Sequence, residues 1–152
     1  MILSMKKINY TKISKRCFDL ALSGSLFFLL SPIFVMTCII IKSTSEGPVF
    51  YRGIRTGYKG KPFRIYKFRT MVQNAEKLGG FSTGLNDPRL TKIGRFLRKY
   101  KIDEIPQIIN VIKGEMSIVG PRPQVQHYTN LYNDKEKIIL AVKPGITDYS
   151  SI

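Results

Sequence analysis

The chain has 152 residues, 43% of them hydrophobic, with only 8 prolines, which suits one domain with a modest core and excludes a disordered or collagen-like chain. Lys and Arg outnumber Asp and Glu by 25 to 10, so the formal net charge of +15 calls for an anionic partner: nucleic acid, an acidic membrane surface or phosphorylated substrates. The two cysteines, Cys17 and Cys38, both fall in the hydrophobic N-terminal part, where they read as small buried thiols of a reducing compartment rather than as a disulfide framework. No pair of His or Cys stands at metal-ligand spacing, which excludes a zinc site.

Residues 20–41 carry no charge and are dominated by Leu, Ile, Phe, Val and Ala. As a helix they would reach roughly 33 Å at ~1.5 Å per residue, enough to cross a bilayer core of about 30 Å. The run is too long for a cleaved signal peptide, and no small-residue cleavage site follows it. Ser31-Pro32 interrupts its middle, where proline deletes a backbone donor and clashes with the preceding turn, and Ser23-Gly24-Ser25 weakens its first half. Lys6, Lys7, Lys12, Lys15 and Arg16 precede the run, and Lys42, Arg52, Arg55, Lys59, Lys61, Arg64, Lys67 and Arg69 follow it, against only Asp19 and Glu46. Positive charge retained on the cytoplasmic side would keep both ends together. From these residues two arrangements stand level: a kinked span, and a helix that enters the membrane, bends at Ser31 and Pro32 and returns, with side chains meeting the freed carbonyls.

Beyond Lys42 the pattern predicts a small basic α+β domain. Val49-Phe50-Tyr51 and residues 63–68 read as strands of a hairpin, with Gly57-Tyr58-Lys59-Gly60 as a turn signal between them. Alternation would put Lys67 and Arg69 on one face, and a solvated face is the simpler reading. From Arg89 to Tyr100, Leu90, Ile93, Leu97 and Tyr100 recur at helical spacing while Lys92, Arg95, Arg98 and Lys99 take other faces, which predicts a basic amphipathic helix.

Lys101-Ile102-Asp103-Glu104-Ile105-Pro106-Gln107 is the most telling stretch, two adjacent carboxylates directly after a basic helix. Asp103 reads as the N-cap of a helix with Glu104 first and Pro106 in its opening turn, Ile105, Ile108, Ile109 and Ile112 as its buried stripe and Lys113-Gly114 as its end. The amide end of such a helix attracts phosphate, and Arg98 could offer a guanidinium fork to the same anion. In Pro121-Arg122-Pro123 two prolines preset one Arg, although a proline-bounded loop is the simpler reading. His127, the single histidine, reads as a surface or helix-start residue.

Taken together, Lys15-Arg16-Cys17-Phe18-Asp19, Ser31-Pro32, Gly47-Pro48-Val49-Phe50, FRIYKFRTM at 63–71, Asp87-Pro88-Arg89, Gly94-Arg95-Phe96-Leu97-Arg98, IDEIPQ at 102–107, residues 110–117, VGPRP at 119–123 and Lys143-Pro144-Gly145-Ile146-Thr147 resemble the bacterial sugar transferase family, the monotopic phosphoglycosyl transferases. Each motif is weak alone, and the ordered set, covering nearly the whole chain, is specific.

The resemblance implies an α+β fold with a re-entrant membrane helix over residues 1–42, bent at Ser31 and Pro32, and a catalytic domain over 43–152 on the cytoplasmic face of the bacterial inner membrane. It implies transfer of a sugar 1-phosphate from a UDP-sugar to polyprenyl (undecaprenyl) phosphate with release of UMP, the first step of glycan assembly. Asp103 matches the family's nucleophile and Glu104 the second acid, with Mg²⁺ held by Asp103 or Glu104 to offset diphosphate charge. Lys67, Arg69, Arg98, Gln107, Pro121, Arg122 and Pro123 match substrate-binding positions. Membrane lipids are the other implied partner, a homodimer is allowed, and nucleic acid is not expected, since no binding motif accompanies the charge.

Two departures qualify the match. Members typically continue for several tens of residues past Pro-Gly-Ile-Thr, whereas this sequence stops at Ile152, and Asp148-Tyr149 stands where many carry Gly and an aromatic or aliphatic residue. A shortened, catalytically inactive membrane-anchored scaffold is therefore the alternative expectation.

Overall fold

The computed structural model describes residues 2–75 and 87–148, with side chains from residue 12 onward. The side chains of Lys6 and Lys7, and Tyr149, lie outside the described residues. Helices and short strands are mixed along the chain, in keeping with the α+β expectation, and the chain divides into two compact units. One unit contains the N-terminal helix, Ile54–Phe63 and the chain from Ile108 onward; the other contains Leu30–Gly53 and Arg64–Gln107.

In the first unit, helix α1 (Ile2–Leu29) continues unbroken through Ser23-Gly24-Ser25. The hydroxyl of Ser23 donates to the Asp19 carbonyl and that of Ser25 to the Ala21 carbonyl (3.0 Å), so both polar side chains are satisfied by the helix's own preceding turn. Strand β2 (Ile54–Thr56) pairs with β3 (Pro62–Arg64) around the turn at Tyr58–Gly60, where the Gly57 N–H donates to the Lys61 carbonyl at 2.9 Å.

The second unit begins where the apolar run breaks. The break falls at Leu30, and Ser31 and Pro32 open helix α2 (Ser31–Thr44). Pro32 has no N–H to give the turn behind it but is harmless in a first helical turn, and the ladder resumes with the Phe34 N–H on the Leu30 carbonyl at 2.9 Å. Among the described residues no single helix is long and apolar enough to cross a membrane; Lys12–Leu29 and Ser31–Thr44 pass that test only as a pair, broken at Leu30.

Strand β1 (Phe50–Tyr51) pairs antiparallel with β4 (Lys67–Phe68), matching Phe50 to Phe68 and Tyr51 to Lys67. The expected single hairpin is thus two short ladders, β1–β4 and β2–β3. Between them the Arg52 guanidinium stacks 3.8 Å from the centre of the Tyr66 ring. Phe68 heads the core with Ile41 and Leu97, and Phe34, Phe50, Ile93, Ile102 and Ile105 pack against these three. The Phe34 and Phe50 rings lie 5.0 and 5.7 Å from the Phe68 ring. Burial of this kind stabilises by roughly 1.5–3 kcal/mol per large side chain.

Helix α3 (Lys92–Lys99) is capped by Thr91, whose hydroxyl accepts the Gly94 N–H at 2.9 Å. Gly94 sits so close to Thr70 that a methyl there would overlap the Thr70 carbonyl, so only glycine lets the helix lie against the segment that follows β4. Leu97 is buried beneath α3 while Phe96 and Tyr100 stay exposed, consistent with the amphipathic pattern expected.

Helix α4 (Gln107–Lys113) starts three residues later than the expected N-cap at Asp103 requires. Ile102–Glu104 closes instead as one 3₁₀ turn, with the Glu104 N–H on the Lys101 carbonyl and the Ile105 N–H on the Ile102 carbonyl. Its buried face is also different: Gln107, Ile108, Asn110 and Val111 are buried while Ile112 is exposed. Asn110 turns inward because its side-chain amide donates to the Glu115 carboxylate at 2.7 Å, while its backbone carbonyl accepts the Glu115 and Met116 N–H groups.

After α4, in the first unit, strand β5 (Ser117–Val119) pairs parallel with β6 (Gly145–Thr147), and α1 packs on β5. The short helix α5 (Gln126–Thr129) meets β2, with the Thr129 and Thr56 hydroxyls 2.8 Å apart. His127 is exposed at the start of α5, as expected.

Candidate active site

Asp103 and Glu104 are presented by the 3₁₀ turn that follows α3. Tyr100 ends the helix and Lys101 takes the left-handed conformation (φ 58°, ψ 16°), which reverses the chain in the manner of a helix C-terminal turn. Ile102 and Ile105, three apart and therefore on one side of a 3₁₀ turn, anchor in the core, leaving the two acids between them for other directions.

Asp103 is 6% exposed, and burial pushes its carboxyl above the ordinary aspartate value. Lys67 works against that shift, Glu104 adds to it through like charge, and Arg98 again opposes it. Glu104 has its own cation: Lys67 Nζ donates to its Oε1 at 2.7 Å, with both side chains largely buried. Lys67 is thus no solvated strand residue. Arg98 is fixed by a bond from its Nε to the Thr70 hydroxyl at 2.9 Å. Lys67, Arg98, Asp103 and Glu104 therefore form one electrostatic group, and Gln107, 2% exposed, begins the next helix.

Arg69 turns elsewhere. Its Nη2 donates to the carbonyl (2.8 Å) and hydroxyl (2.7 Å) of Ser45, the residue that caps the end of α2. Its Nε and Nη1 are buried with no hydrogen-bond partner among the described residues, in a space left by Gly47. Pro121, Arg122 and Pro123 belong to the first unit, where they line a shallow open crevice with Thr56, Thr129 and Tyr132.

Among the described residues no three His, Cys, Asp or Glu side chains gather as a metal site. The two-acid set of Asp103 and Glu104 still suits Mg²⁺, which commonly takes only one or two carboxylates and completes its shell with water and substrate phosphates.

Reasoning from sequence passed over Thr70, Ser45 and Ser117. Thr70 and Ser45 are small hydroxyl residues whose role is to hold an arginine, and nothing in local pattern marks them. Lys15 and Asp19 did carry a signal, their i,i+4 spacing at the edge of the apolar run. Asp19 accepts from the Ser117 hydroxyl (2.9 Å) and the Ile118 N–H (3.1 Å), and Lys15 lies 3.7 Å from it.

The site thus holds a buried carboxylate next to a lysine-held second acid, with the Arg98 guanidinium in the same electrostatic group. The sequence pattern of the bacterial sugar transferase family matches residues 10–152, and the chain belongs to that family. It is 43% identical over 140 residues to the sugar transferase EpsL of Bacillus subtilis, covering 92% of this chain and 68% of that protein. It is 42% identical over 145 residues to the UDP-glucose:undecaprenyl-phosphate glucose-1-phosphate transferase of Escherichia coli K12, covering 93% of this chain and 31% of the relative. To the UDP-N-acetylgalactosamine-undecaprenyl-phosphate N-acetylgalactosaminephosphotransferase of Aeromonas hydrophila it is 37% identical over 141 residues, 91% of this chain and 33% of the relative. The chain thus spans about a third of the length of these last two.

Proposed function

We propose that this protein is a membrane-bound phosphoglycosyl transferase that moves a sugar 1-phosphate from a UDP-sugar to polyprenyl phosphate and releases UMP. The observation that carries this reading is Asp103, a buried carboxylate beside a Lys67-held Glu104, in a chain of this family. The printed activities of the Escherichia coli and Aeromonas relatives, both acting with undecaprenyl phosphate, support it.

In the proposed reaction an Asp103 carboxylate oxygen attacks the β-phosphorus of the UDP-sugar, and the bond to the bridging oxygen breaks with its electron pair leaving on UMP. An oxygen of polyprenyl phosphate then attacks the same phosphorus and the Asp103 carboxylate departs. A carboxyl raised by burial is a stronger nucleophile once ionised, and Lys67 and Arg98 favour the ionised form. Mg²⁺ held by Asp103 or Glu104 would neutralise diphosphate charge. Lys67, Arg98, Gln107 and the Pro121-Arg122-Pro123 segment are proposed to bind substrate, as is Arg69, two of whose buried guanidinium nitrogens have no partner among the described residues.

The bent apolar pair is proposed to enter the membrane and return, holding both flanks on the cytoplasmic face of the inner membrane. Exposed Phe28, Leu29, Val35, Met36 and Ile39 support a lipid setting for these helices.

The test measures UMP release across a panel of UDP-sugars with undecaprenyl phosphate and Mg²⁺, for wild type and Asp103→Asn. Wild type releases UMP and forms a covalent phosphosugar adduct; the Asn variant does neither and stays in the membrane fraction. An Asn variant that turns over at the normal rate removes the nucleophile assignment. A wild-type chain inert with every donor favours a scaffold.

A further inference from the structure

Three cations of the first unit gather where α4 ends. Arg16, from α1, donates Nη1 to the Val111 carbonyl (2.6 Å) and Nη2 to the Ile112 carbonyl (2.8 Å). Gly114 follows with φ 83°, and a Cβ built on it would lie 3.4 Å from Arg16 Nη2 and 3.6 Å from Lys143 Nζ. Its Cα therefore faces a small space bounded by two positive groups.

The third cation, Lys15, is already engaged: it lies 3.7 Å from Asp19 and donates to the Val119 carbonyl at 3.2 Å. Asp19, the acid of the group, is itself taken up by Ser117 and the Ile118 N–H. Lys143 forms no ion pair with a described residue. Burial first, then the charge of Arg16, pushes its ammonium below the usual lysine value, with Asp19 pulling the other way and Lys15 adding to the push. The negative end of the α4 dipole accounts for Arg16, whose N–H groups end on carbonyls. It does not account for Lys143, which bonds to none of them.

We propose that Arg16 and Lys143, converging over Gly114, form a binding site for a phosphate group. Two cationic donors on either side of one point can reach different oxygens of a single tetrahedral anion, and such charge-assisted bonds are the strong ones. The phosphodiester of an anionic phospholipid and free phosphate offer the same chemistry. Arg16 stands four residues before the uncharged run begins at residue 20, a position suited to the headgroup of a lipid. Neither residue belongs to the acid-pair machinery, so the inference holds apart from the transferase reading.

The experiment takes the full chain in neutral detergent micelles and measures, by native mass spectrometry, binding of phosphatidylglycerol in one arm and of inorganic phosphate in the other. Lys143→Gln lowers affinity by about tenfold, the size expected for one charge-assisted hydrogen bond. Lys135→Gln, which removes the same charge from an exposed position, lowers it by no more than about twofold. Gly114→Ala keeps both cations, fills the space between them and also weakens binding. An effect in the lipid arm alone assigns a headgroup site, in the phosphate arm alone a soluble anion, and in both arms a site open to either. Equal losses in Lys143→Gln and Lys135→Gln, Gly114→Ala binding as wild type, or no wild-type binding in either arm overturns the proposal.

Discussion

The Lys67 ammonium lies 2.7 Å from Glu104 Oε1, with side-chain exposures of 19% and 14%. An ion pair this sheltered differs from a surface one, because removing one partner strands the other charge away from water. Lys67→Met is expected to destabilise the fold by roughly 3 kcal/mol, and Lys67→Met combined with Glu104→Leu to recover a large part of the loss. Urea unfolding in detergent of the two single variants and the double variant measures the coupling. Additive losses would mean that the pair is energetically independent.

Asp103 predicts a pH dependence of stability whose sign follows from burial. Its folded-state pKa lies above the unfolded value, so the stability it contributes is full below the ordinary aspartate pKa of about 3.9 and is lost as pH rises through the folded value. Asp103→Asn removes the buried charge and is expected to unfold later than wild type at pH 7, with the difference closing as pH falls toward 4. Thermal unfolding of both proteins across that range checks it. A variant less stable than wild type at pH 7 would show that Lys67 and Arg98 outweigh burial.

Asp19, with its side chain 4% exposed, ties α1 to β5 through Ser117 and Ile118. Asp19→Ala leaves the Ile118 N–H and the Lys15 charge without this acceptor, and a loss of about 2–3 kcal/mol is expected. Ser117→Ala, which removes one hydroxyl, should lose about 1 kcal/mol. Limited proteolysis between α1 and the rest of the chain gives an independent readout: the Asp19 variant is cut sooner than wild type.

Much of the candidate site was legible because its residues are adjacent in sequence. Asp103 and Glu104 announce themselves as neighbouring acids after a basic helix, and the break in the apolar run follows from one proline, though it falls at Leu30 rather than at Ser31 and Pro32. The start of α4 was less legible. Ile102 and Ile105, packed against the core, hold a 3₁₀ turn where pattern alone read the first turn of an α-helix. The buried face of α4 was misjudged for a related reason: hydrophobicity ranks Ile112 above Asn110, but Asn110 can bond Glu115 and close the chain after the helix, and Ile112 cannot.

Composition and order of residues determined the positive charge, the uncharged 22-residue run at 20–41, the paired acids and the family, since these depend on what each residue is and on its immediate neighbours. Which cation meets which anion was decided only in three dimensions. Lys67 and Arg69 stand two apart in the sequence, yet Lys67 reaches Glu104 and Arg69 reaches Ser45. Long flexible side chains choose their partners by distance across the fold, and at more than twenty residues' separation that distance is set by packing, not by spacing along the chain.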